Sequence, residues 1–284
     1  MRAKRVIIIF YLLIFLSFLL ILLLFLGLQK SSFQFCVFDV GQGDAILTRT
    51  ARGQNILIDG GSDNTVIYKL GEYLPFYERK IDLVILTHPH ADHVTGLVEV
   101  LKRYKVKNIF LTGVIYNESG YQAFINLIRQ EDINFKIIDE PQRVILDHET
   151  ELIILFPDQS FLDQEVKNLN NTSIVAKLIY QNNLIILTGD FEHEEELVSG
   201  NWGLLADILK VGHHGSDTAN SLEFLAAVKP AWAIISVGEN NKFGHPHQQT
   251  IDYLSRLGSK ILRTDQDGDV CFRLDGENMV LKNN

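Results

Sequence analysis

Thr87-His88-Pro89-His90-Ala91-Asp92-His93 is the stretch that decides how this 284-residue chain folds and what chemistry it carries. It follows the apolar run 83–86, which is typical of a buried strand. Three imidazoles and one carboxylate within so short a stretch exceed what a solvated loop needs. Imidazole is a good ligand for zinc and similar divalent ions, and carboxylate suits harder ions. The stretch therefore predicts a metal site at the end of a buried strand.

The spacing divides these side chains between two ions. His88 and His90 are two residues apart, so in an extended segment they project to the same side and can bind one ion. Asp92 and His93 follow as the chain turns, and they are predicted to hold a second ion. The sequence thus predicts two divalent metal ions rather than one.

Outward from this stretch, short strand-like runs alternate with helical segments. The runs 35–38 and 45–48 are separated by Gly41-Gln42-Gly43-Asp44, which is typical of a hairpin turn. Strand-like runs continue to residue 274, with helical segments such as 250–257 between them. Strands interleaved with helices, with hairpins at both ends, predict an α/β protein with mixed sheets.

The first thirty residues have a different composition. Arg2, Lys4 and Arg5 precede an apolar run over 6–28, longer than the roughly 20 residues that span a bilayer. No small-residue cleavage site follows it, so a retained anchor is favoured over a signal peptide. The basic residues before the run predict a cytoplasmic N-terminus. We therefore expect a cytoplasmic stub and transmembrane anchor over 1–30, a single-pass protein of the cell membrane, and an extracellular hydrolase domain over 31–284.

The charge of the chain bears on its partners. It carries 26 Lys and Arg against 35 Asp and Glu, a net charge of −9, and the first thirty residues contain no acid. An acidic domain has no general attraction for nucleic-acid phosphates. This charge counts against a nuclease.

Two cysteines, Cys36 and Cys271, each lie in a short apolar run. In an extracellular domain they could form a disulfide, and otherwise they are two small buried side chains. The sequence leaves both interpretations open.

The histidine-rich stretch belongs to an ordered series of motifs. The others are Phe38-Asp39-Val40-Gly41-Gln42-Gly43-Asp44, Leu57-Ile58-Asp59-Gly60-Gly61, Asn170-Asn171-Thr172-Ser173, Leu187-Thr188-Gly189-Asp190, Leu209-Lys210-Val211-Gly212-His213-His214-Gly215-Ser216 and Gly244-His245-Pro246-His247. In these motifs the chain resembles the metallo-β-lactamase superfamily. More narrowly, it resembles the extracellular metallo-β-lactamase-like domain of ComEC competence proteins, which take up DNA. The resemblance covers nearly everything from residue 35 to residue 272 and implies an αββα sandwich.

The resemblance also implies a set of site residues. Asp190 would bridge both metals, and Asp59 would orient a ligand by a hydrogen bond. One of His213 and His214 would bind metal and the other would face the substrate, and we favour His214 as the ligand. The implied metal ligands are His88, His90, Asp92, His93, Asp190 and His214, and the implied catalytic residues are Asp92, His213 and His245.

One departure from the superfamily pattern concerns metal identity. Many members supply a further histidine between the cluster and the bridging aspartate, but here that interval contains only His148, in a polar turn. The matching position falls instead within Asn170-Asn171-Thr172-Ser173, so Asn171 and Thr172, like His247, are candidates for a weak ligand or a substrate contact. A site poorer in nitrogen is open to manganese as well as zinc.

These features imply a binuclear hydrolase that attacks its substrate with a metal-bound hydroxide. The first hypothesis is a phosphodiesterase or nuclease acting on an extracellular phosphodiester, with single-stranded DNA as the candidate. The alternatives are a cell-wall esterase, such as a phosphorylcholine esterase or lactonase, and a non-catalytic binding module of a DNA-uptake apparatus. The acidic composition suits the esterase better than the nuclease. Protein partners are not indicated by the sequence.

Overall fold

The first of two mixed β-sheets is antiparallel at one end and parallel at the other. A computed structural model describes residues 2–28, 32–200 and 202–282 of the protein. Within those residues the sheet has the order β17-β16-β1-β2-β3-β5-β7-β8. Its strands are β1 (Phe33–Val37), β2 (Ile46–Arg49), β3 (Asn55–Ile58), β5 (Leu83–Ile85), β7 (Asn108–Leu111), β8 (Asn134–Ile137), β16 (Val270–Leu274) and β17 (Met279–Lys282). Strands β3, β5, β7 and β8 are parallel to one another.

The second sheet has the order β15-β14-β13-β12-β11-β10-β9 over the described part of the chain. Its strands are β9 (Gln142–Ile145), β10 (Thr150–Phe156), β11 (Val175–Tyr180), β12 (Asn183–Leu187), β13 (Ile208–Lys210), β14 (Trp232–Ile235) and β15 (Lys260–Arg263). Strands β12 to β15 are parallel. A separate short pair joins β4 (Lys80–Ile81) to β6 (Lys105–Val106).

Helices cover the outer face of each sheet, and apolar side chains fill all three interfaces. The sequence of β5 is continuously apolar because both faces of the strand are buried. Leu83 and Ile85 pack between the sheets, while Val84 packs against the helices. The helices are α1 (Arg2–Leu28), α2 (Thr65–Tyr73), α3 (Ala91–Arg103), α4 (Ser119–Gln130), α5 (Glu194–Ser199), α6 (Leu222–Val228), α7 (Gln248–Arg256) and α8 (Thr264–Asp267). The αββα sandwich that the motifs imply is therefore confirmed.

The parallel strands place their carboxyl ends at one edge of the sandwich. Asp59 follows β3 and Thr87 follows β5, while Asp190 comes shortly after β12 and Val211 follows β13. Ligand sites in α/β sheets form at the carboxyl ends of the strands. Both sheets therefore deliver their polar loops to the same place.

A disulfide joins Cys36 to Cys271. The two residues lie directly opposite each other in the antiparallel pair β1 and β16, and both are buried. Of the two interpretations that the sequence left open, the disulfide is the one in the structure. The bond ties strands that are 235 residues apart in the chain.

Helix α1 corrects one expectation. Across the described residues, no helix combines the length and the apolar content that a membrane crossing requires. The predicted transmembrane anchor is therefore wrong, and so is the single-pass cell-membrane localisation that depended on it. The predicted domain boundary at residues 30 and 31 lies outside the described residues.

Candidate metal centre

The loop after β5 presents the first group of candidate ligands. Pro89 cannot donate a backbone hydrogen bond, and His90 is the extended residue before α3, with φ −60° and ψ 150°. Helix α3 then begins at Ala91, which places Asp92 and His93 in its first turn. A carboxylate in the first turn is favoured by the positive end of the helix dipole.

Asp59 holds this loop in place through hydrogen bonds. One of its carboxylate oxygens accepts a hydrogen bond from the backbone N–H of Thr87 at 2.8 Å, and the other accepts one from the Thr87 hydroxyl at 2.6 Å. The latter oxygen also lies 2.8 Å from Nδ1 of His93. A proton on Nδ1 that is donated to Asp59 leaves the lone pair of His93 on Nε2, which faces the site.

Asp190 is the centre of the second group. It is buried, and it follows Gly189, whose φ of 52° turns the chain after β12. One oxygen of Asp190, Oδ2, lies between 3.3 and 3.9 Å from Nε2 of four imidazoles, those of His93, His214, His88 and His213. A carboxylate thus lies where the polar ends of four histidines converge.

His213 and His214 both have left-handed backbone, with φ of 45° and 53°. This conformation costs energy in residues with a Cβ and is held by the surrounding loop. His214 is buried, with Nδ1 2.9 Å from the Ser236 carbonyl oxygen and Nε2 3.4 Å from Asp92 Oδ2. His213 is 22% exposed at the rim, and its Nδ1 lies 3.0 Å from Glu192 Oε1.

The donor set fits divalent metal ions. His88, His93 and Asp190 form one group, and Asp92, His93 and His214 form another, with ligand atoms in each group within 4.8 Å of one another. His90 Nδ1 lies 3.0 Å from His88 Nε2, at the edge of the first group. Among the described residues, the buried atoms His93 Nε2, His214 Nε2 and Asp190 Oδ1 have no hydrogen-bond partner. Buried polar atoms are rarely left unpaired, and bound cations would satisfy these.

The electrostatics of the group also favour cations. Burial, together with the nearby His93, lowers the pKa of His88 well below its usual value, so His88 is a neutral imidazole with an available lone pair. Burial by itself would lower the pKa of His93, but the carboxylates of Asp190, Asp59 and Asp92 raise it well above the usual range. The same carboxylates that attract a proton to His93 would attract a metal ion.

The other predicted site residues lie at different distances from this centre. The ring of His245 is 5.4 Å from that of His213, and burial lowers the pKa of His245 to about 4. The side chains of Asn171 and Thr172 bond to backbone groups of their own neighbourhood, Glu192 N–H and the Leu169 carbonyl. They brace the loop below Asp190 in the structure.

Two further histidines are engaged outside the centre. Nδ1 of His247 accepts a hydrogen bond from the backbone N–H of Asp217 at 2.9 Å. Nε2 of His148 lies 2.8 Å from the Arg52 guanidinium in an exposed turn. Neither is in a group that could hold a metal ion in the described part of the chain.

Three polar residues at the site were not singled out from the sequence. Asp44 and Lys210 are buried and paired at 2.8 Å, and Glu192 contacts His213. Lys210 lies within the apolar run 208–211, and a charged residue in such a run is a signal for a buried partner. The identity of that partner depends on the sheet topology and could not be read from the run itself.

Known proteins support the assignment that the motifs imply. The family model of the metallo-beta-lactamase superfamily matches residues 38–238. ComE operon protein 3 of Bacillus subtilis is 32% identical over 83% of this chain and 32% of its own length. Recombination protein 2 of Haemophilus influenzae is 32% identical over 88% and 30%, and competence protein ComA of Neisseria gonorrhoeae is 28% identical over 84% and 32%. The chain spans about a third of the length of these relatives.

Solved structures share the fold at low sequence identity. The metallo-beta-lactamase fold protein YhfI from Bacillus subtilis has a TM-score of 0.55, with 12% identity over 82% of this chain and 96% of its own. Zn²⁺-bound PqqB from Methylobacterium extorquens has a TM-score of 0.53, with 11% identity over 82% and 88%. The chain therefore belongs to the metallo-β-lactamase superfamily, has the hydrolase fold of that family, and is similar in sequence to ComEC-type competence proteins.

Proposed function

We propose that the protein is a hydrolase that binds two divalent metal ions at this centre and cleaves phosphodiesters. The observation that carries the proposal is the position of Asp190 Oδ2, within 3.9 Å of Nε2 of four imidazoles. One ion would be held by His88, His90 and Asp190, and the other by Asp92, His93, His214 and Asp190. Zinc and manganese are the candidate ions, because the donors are a mixture of imidazole and carboxylate.

Bound metal ions of this kind lower the pKa of water and stabilise negative charge that develops on the substrate. The chain itself supplies the rim of the site. Glu192 fixes Nδ1 of His213, so Nε2 of His213 is directed toward Asp190 at 3.9 Å. His245 lies beside it as a neutral imidazole at ordinary pH, because its pKa is lowered to about 4 by burial and by the nearby His213. We propose that these two side chains contact the phosphate.

Single-stranded DNA is the proposed substrate. Support comes from the names of the relatives, which are competence and recombination proteins. The net charge of −9 points the other way, because it provides no general attraction for a polyanion. A small phosphodiester or an ester is therefore the alternative substrate class, and a choline ester or lactone represents it. A non-catalytic binding module is the second alternative.

The test is an assay of the full chain with zinc or manganese against bis-p-nitrophenyl phosphate, single-stranded DNA, a choline ester and a lactone. We expect turnover of the small phosphodiester and of DNA by the wild type. His88→Ala should abolish both activities, because His88 is buried at the centre. His193→Ala is the matched control, because His193 is an exposed histidine that pairs with Glu196 away from the centre.

The outcomes separate the three hypotheses. Loss of both activities in His88→Ala and retention in His193→Ala would support the proposal. Turnover of choline esters or lactones alone would replace the phosphodiesterase with an esterase. Metal binding without turnover of any of these substrates would favour the binding module.

A further inference from the structure

Lys210 is a fully buried lysine below the candidate metal centre. It is the last residue of β13, and the preceding residue on the same face, Ile208, packs in the apolar layer between the sheets. Its ammonium group lies 2.8 Å from Asp44 Oδ2 and donates to the Val211 carbonyl oxygen at 2.9 Å. A buried charge is costly unless it is paired and hydrogen-bonded, and both conditions are met here.

Asp44 connects this lysine to a candidate metal ligand. Its second oxygen, Oδ1, faces Nδ1 of His214 at 3.5 Å. The Ser236 carbonyl oxygen faces the same nitrogen at 2.9 Å, and the Ser236 hydroxyl donates to the Gly43 carbonyl at 2.7 Å. Nδ1 of His214 thus has a hydrogen-bond acceptor in the Ser236 carbonyl and a carboxylate charge nearby in Asp44, and together they hold its proton there and leave the lone pair on Nε2.

The turn that carries Asp44 has no room to shift. Gly43 has φ 126°, and a Cβ at that position would lie 2.1 Å from the Asp92 carbonyl oxygen. The backbone of Asp44 bonds at both ends, its N–H to the Asp92 carbonyl and its carbonyl to the Gly61 N–H. The carboxylate of Asp44 is therefore held against the loop that carries Asp92.

Asp44, Asp59 and His93 form a third group of atoms close enough to hold a cation. The ammonium group of Lys210 already occupies the Asp44 side of that group. Lys210 therefore serves there as a cation supplied by the chain.

We propose that Lys210 is a positioning residue that, through Asp44, fixes the imidazole of His214 with Nε2 directed at the metal ions. This inference rests on the proposed metal centre. The proposed positioning role and a simple effect of the Lys210 charge predict opposite changes in metal affinity. Removing a positive charge below the site would by itself tighten the binding of a cation, whereas losing the support of a ligand weakens it.

The test is the zinc affinity of the full chain, measured by competition with a chromophoric chelator. We expect the zinc dissociation constant of Lys210→Met to rise about 10-fold to 100-fold, which is the usual effect of losing a residue that supports a metal ligand. The visible spectrum of the cobalt-substituted protein should also change, because it reports ligand geometry. Lys177→Met is the matched control: Lys177 is also nearly buried in the same sheet, and it donates to the Gly203 carbonyl away from the centre.

A double variant separates the loss of positioning from the cost of leaving a buried charge unpaired. Lys210→Met leaves the Asp44 carboxylate buried and unpaired, whereas Lys210→Met combined with Asp44→Asn removes both charges. The double variant should bind zinc as weakly as the single variant, because the two residues act as one support. Unfolding followed with the metal removed reports separately whether each variant is folded.

Three results would overturn the inference. Zinc binding by Lys210→Met that is unchanged or tighter would contradict it while leaving the metal centre intact. Recovery of wild-type zinc affinity in the double variant would show that an unpaired charge, and not lost positioning, weakened the single variant. Failure of the wild type to bind either zinc or manganese would overturn the proposed metal centre and this inference with it.

Discussion

The two halves of the candidate metal centre are built in opposite ways. His88, His90, Asp92 and His93 come from one loop and the first turn of α3, and the Asp59 carboxylate supports that loop through Thr87 and His93. The other half, with Asp190 and His214 at its core, is assembled from the ends of β12 and β13. It depends on left-handed backbone and on a buried ion pair. The local half is thus oriented by a single buried carboxylate, whereas the half gathered from separate strands also relies on strained backbone and a buried ion pair.

The largest expected effect comes from the residue at which both halves meet. Asp190→Asn keeps the shape of the side chain and removes the charge that faces four imidazoles. We expect the hydrolysis of bis-p-nitrophenyl phosphate to fall roughly 1,000-fold, comparable to the loss of a key electrostatic group in other enzymes. Asp252→Asn, on the exposed face of α7, is the control. A wild-type rate in Asp190→Asn would show that the halves do not share this carboxylate.

The disulfide should separate the stability of the fold from the integrity of the site. Replacing both Cys36 and Cys271 with alanine should lower the free energy of unfolding by about 2–5 kcal/mol, because the bond constrains the unfolded chain. Zinc affinity should not change, since neither half of the centre contains these residues. Urea unfolding and zinc titration of the double variant measure the two quantities. Equal stability of the double variant and the oxidised wild type would contradict this expectation.

Glu194 makes the second half sensitive to pH. Burial raises its pKa from 4.5 to about 7. Its carboxylate accepts hydrogen bonds from the backbone N–H groups of Asn220 and Ser221, and Asn220 in turn bonds Gly212 and Ser216 beside the paired histidines. The pKa of Glu194 is higher in the folded state, so its contribution to the free energy of unfolding is fully present below pH 4.5 and is lost as the pH rises through 7. The free energy of unfolding should fall by roughly 3 kcal/mol over this range.

The measurement is urea unfolding at pH 5 and pH 8 with metal removed. The difference between the two pH values should be smaller in Glu194→Gln than in the wild type. Glu195→Gln, at an exposed position of the same helix, should retain the wild-type difference. If the free energy of unfolding fell equally in Glu194→Gln and in the wild type between pH 5 and pH 8, Glu194 would not be the source of the pH dependence.

Asp59→Asn gives the smallest of these effects and makes the comparison quantitative. It should weaken the bond to Nδ1 of His93 and raise the zinc dissociation constant about 10-fold to 100-fold. Its effect can be set against that of Lys210→Met, which removes support from the other half. Near-equal losses of zinc affinity would show that Asp59 supports the first half of the centre as strongly as the Lys210–Asp44 pair supports the second half. No loss in Asp59→Asn would show that the loop needs no brace.

The sequence predicted the local half well because its evidence is local. The density of histidine after an apolar run identified the site without any knowledge of topology, and the ordered motifs implied the αββα sandwich. The choice between His213 and His214 stayed open for a physical reason. Adjacent side chains point apart in extended backbone, but both residues have positive φ, so the usual alternation does not apply.

The features that the sequence did not predict depend on contacts between residues that are far apart in the chain. Asp44 and Lys210 each lie in motifs that were recognised, but their pairing follows from the way β13 meets the hairpin turn. The disulfide likewise requires β1 and β16 to be neighbours. The anchor prediction failed for another reason: composition over 6–28 was used alone, and no described helix meets the requirement for a membrane crossing.

The pairing of β1 with β16 has one more consequence. The first strand of the sandwich and its last strand, β17, both lie against β16, and Lys282 reaches the side chain of Gln34 at 3.4 Å. The chain therefore enters the sandwich opposite Leu274 and leaves it opposite Cys271, on the two sides of one strand. Domain termini that lie at the surface of the same sheet suit a unit that is carried within longer chains.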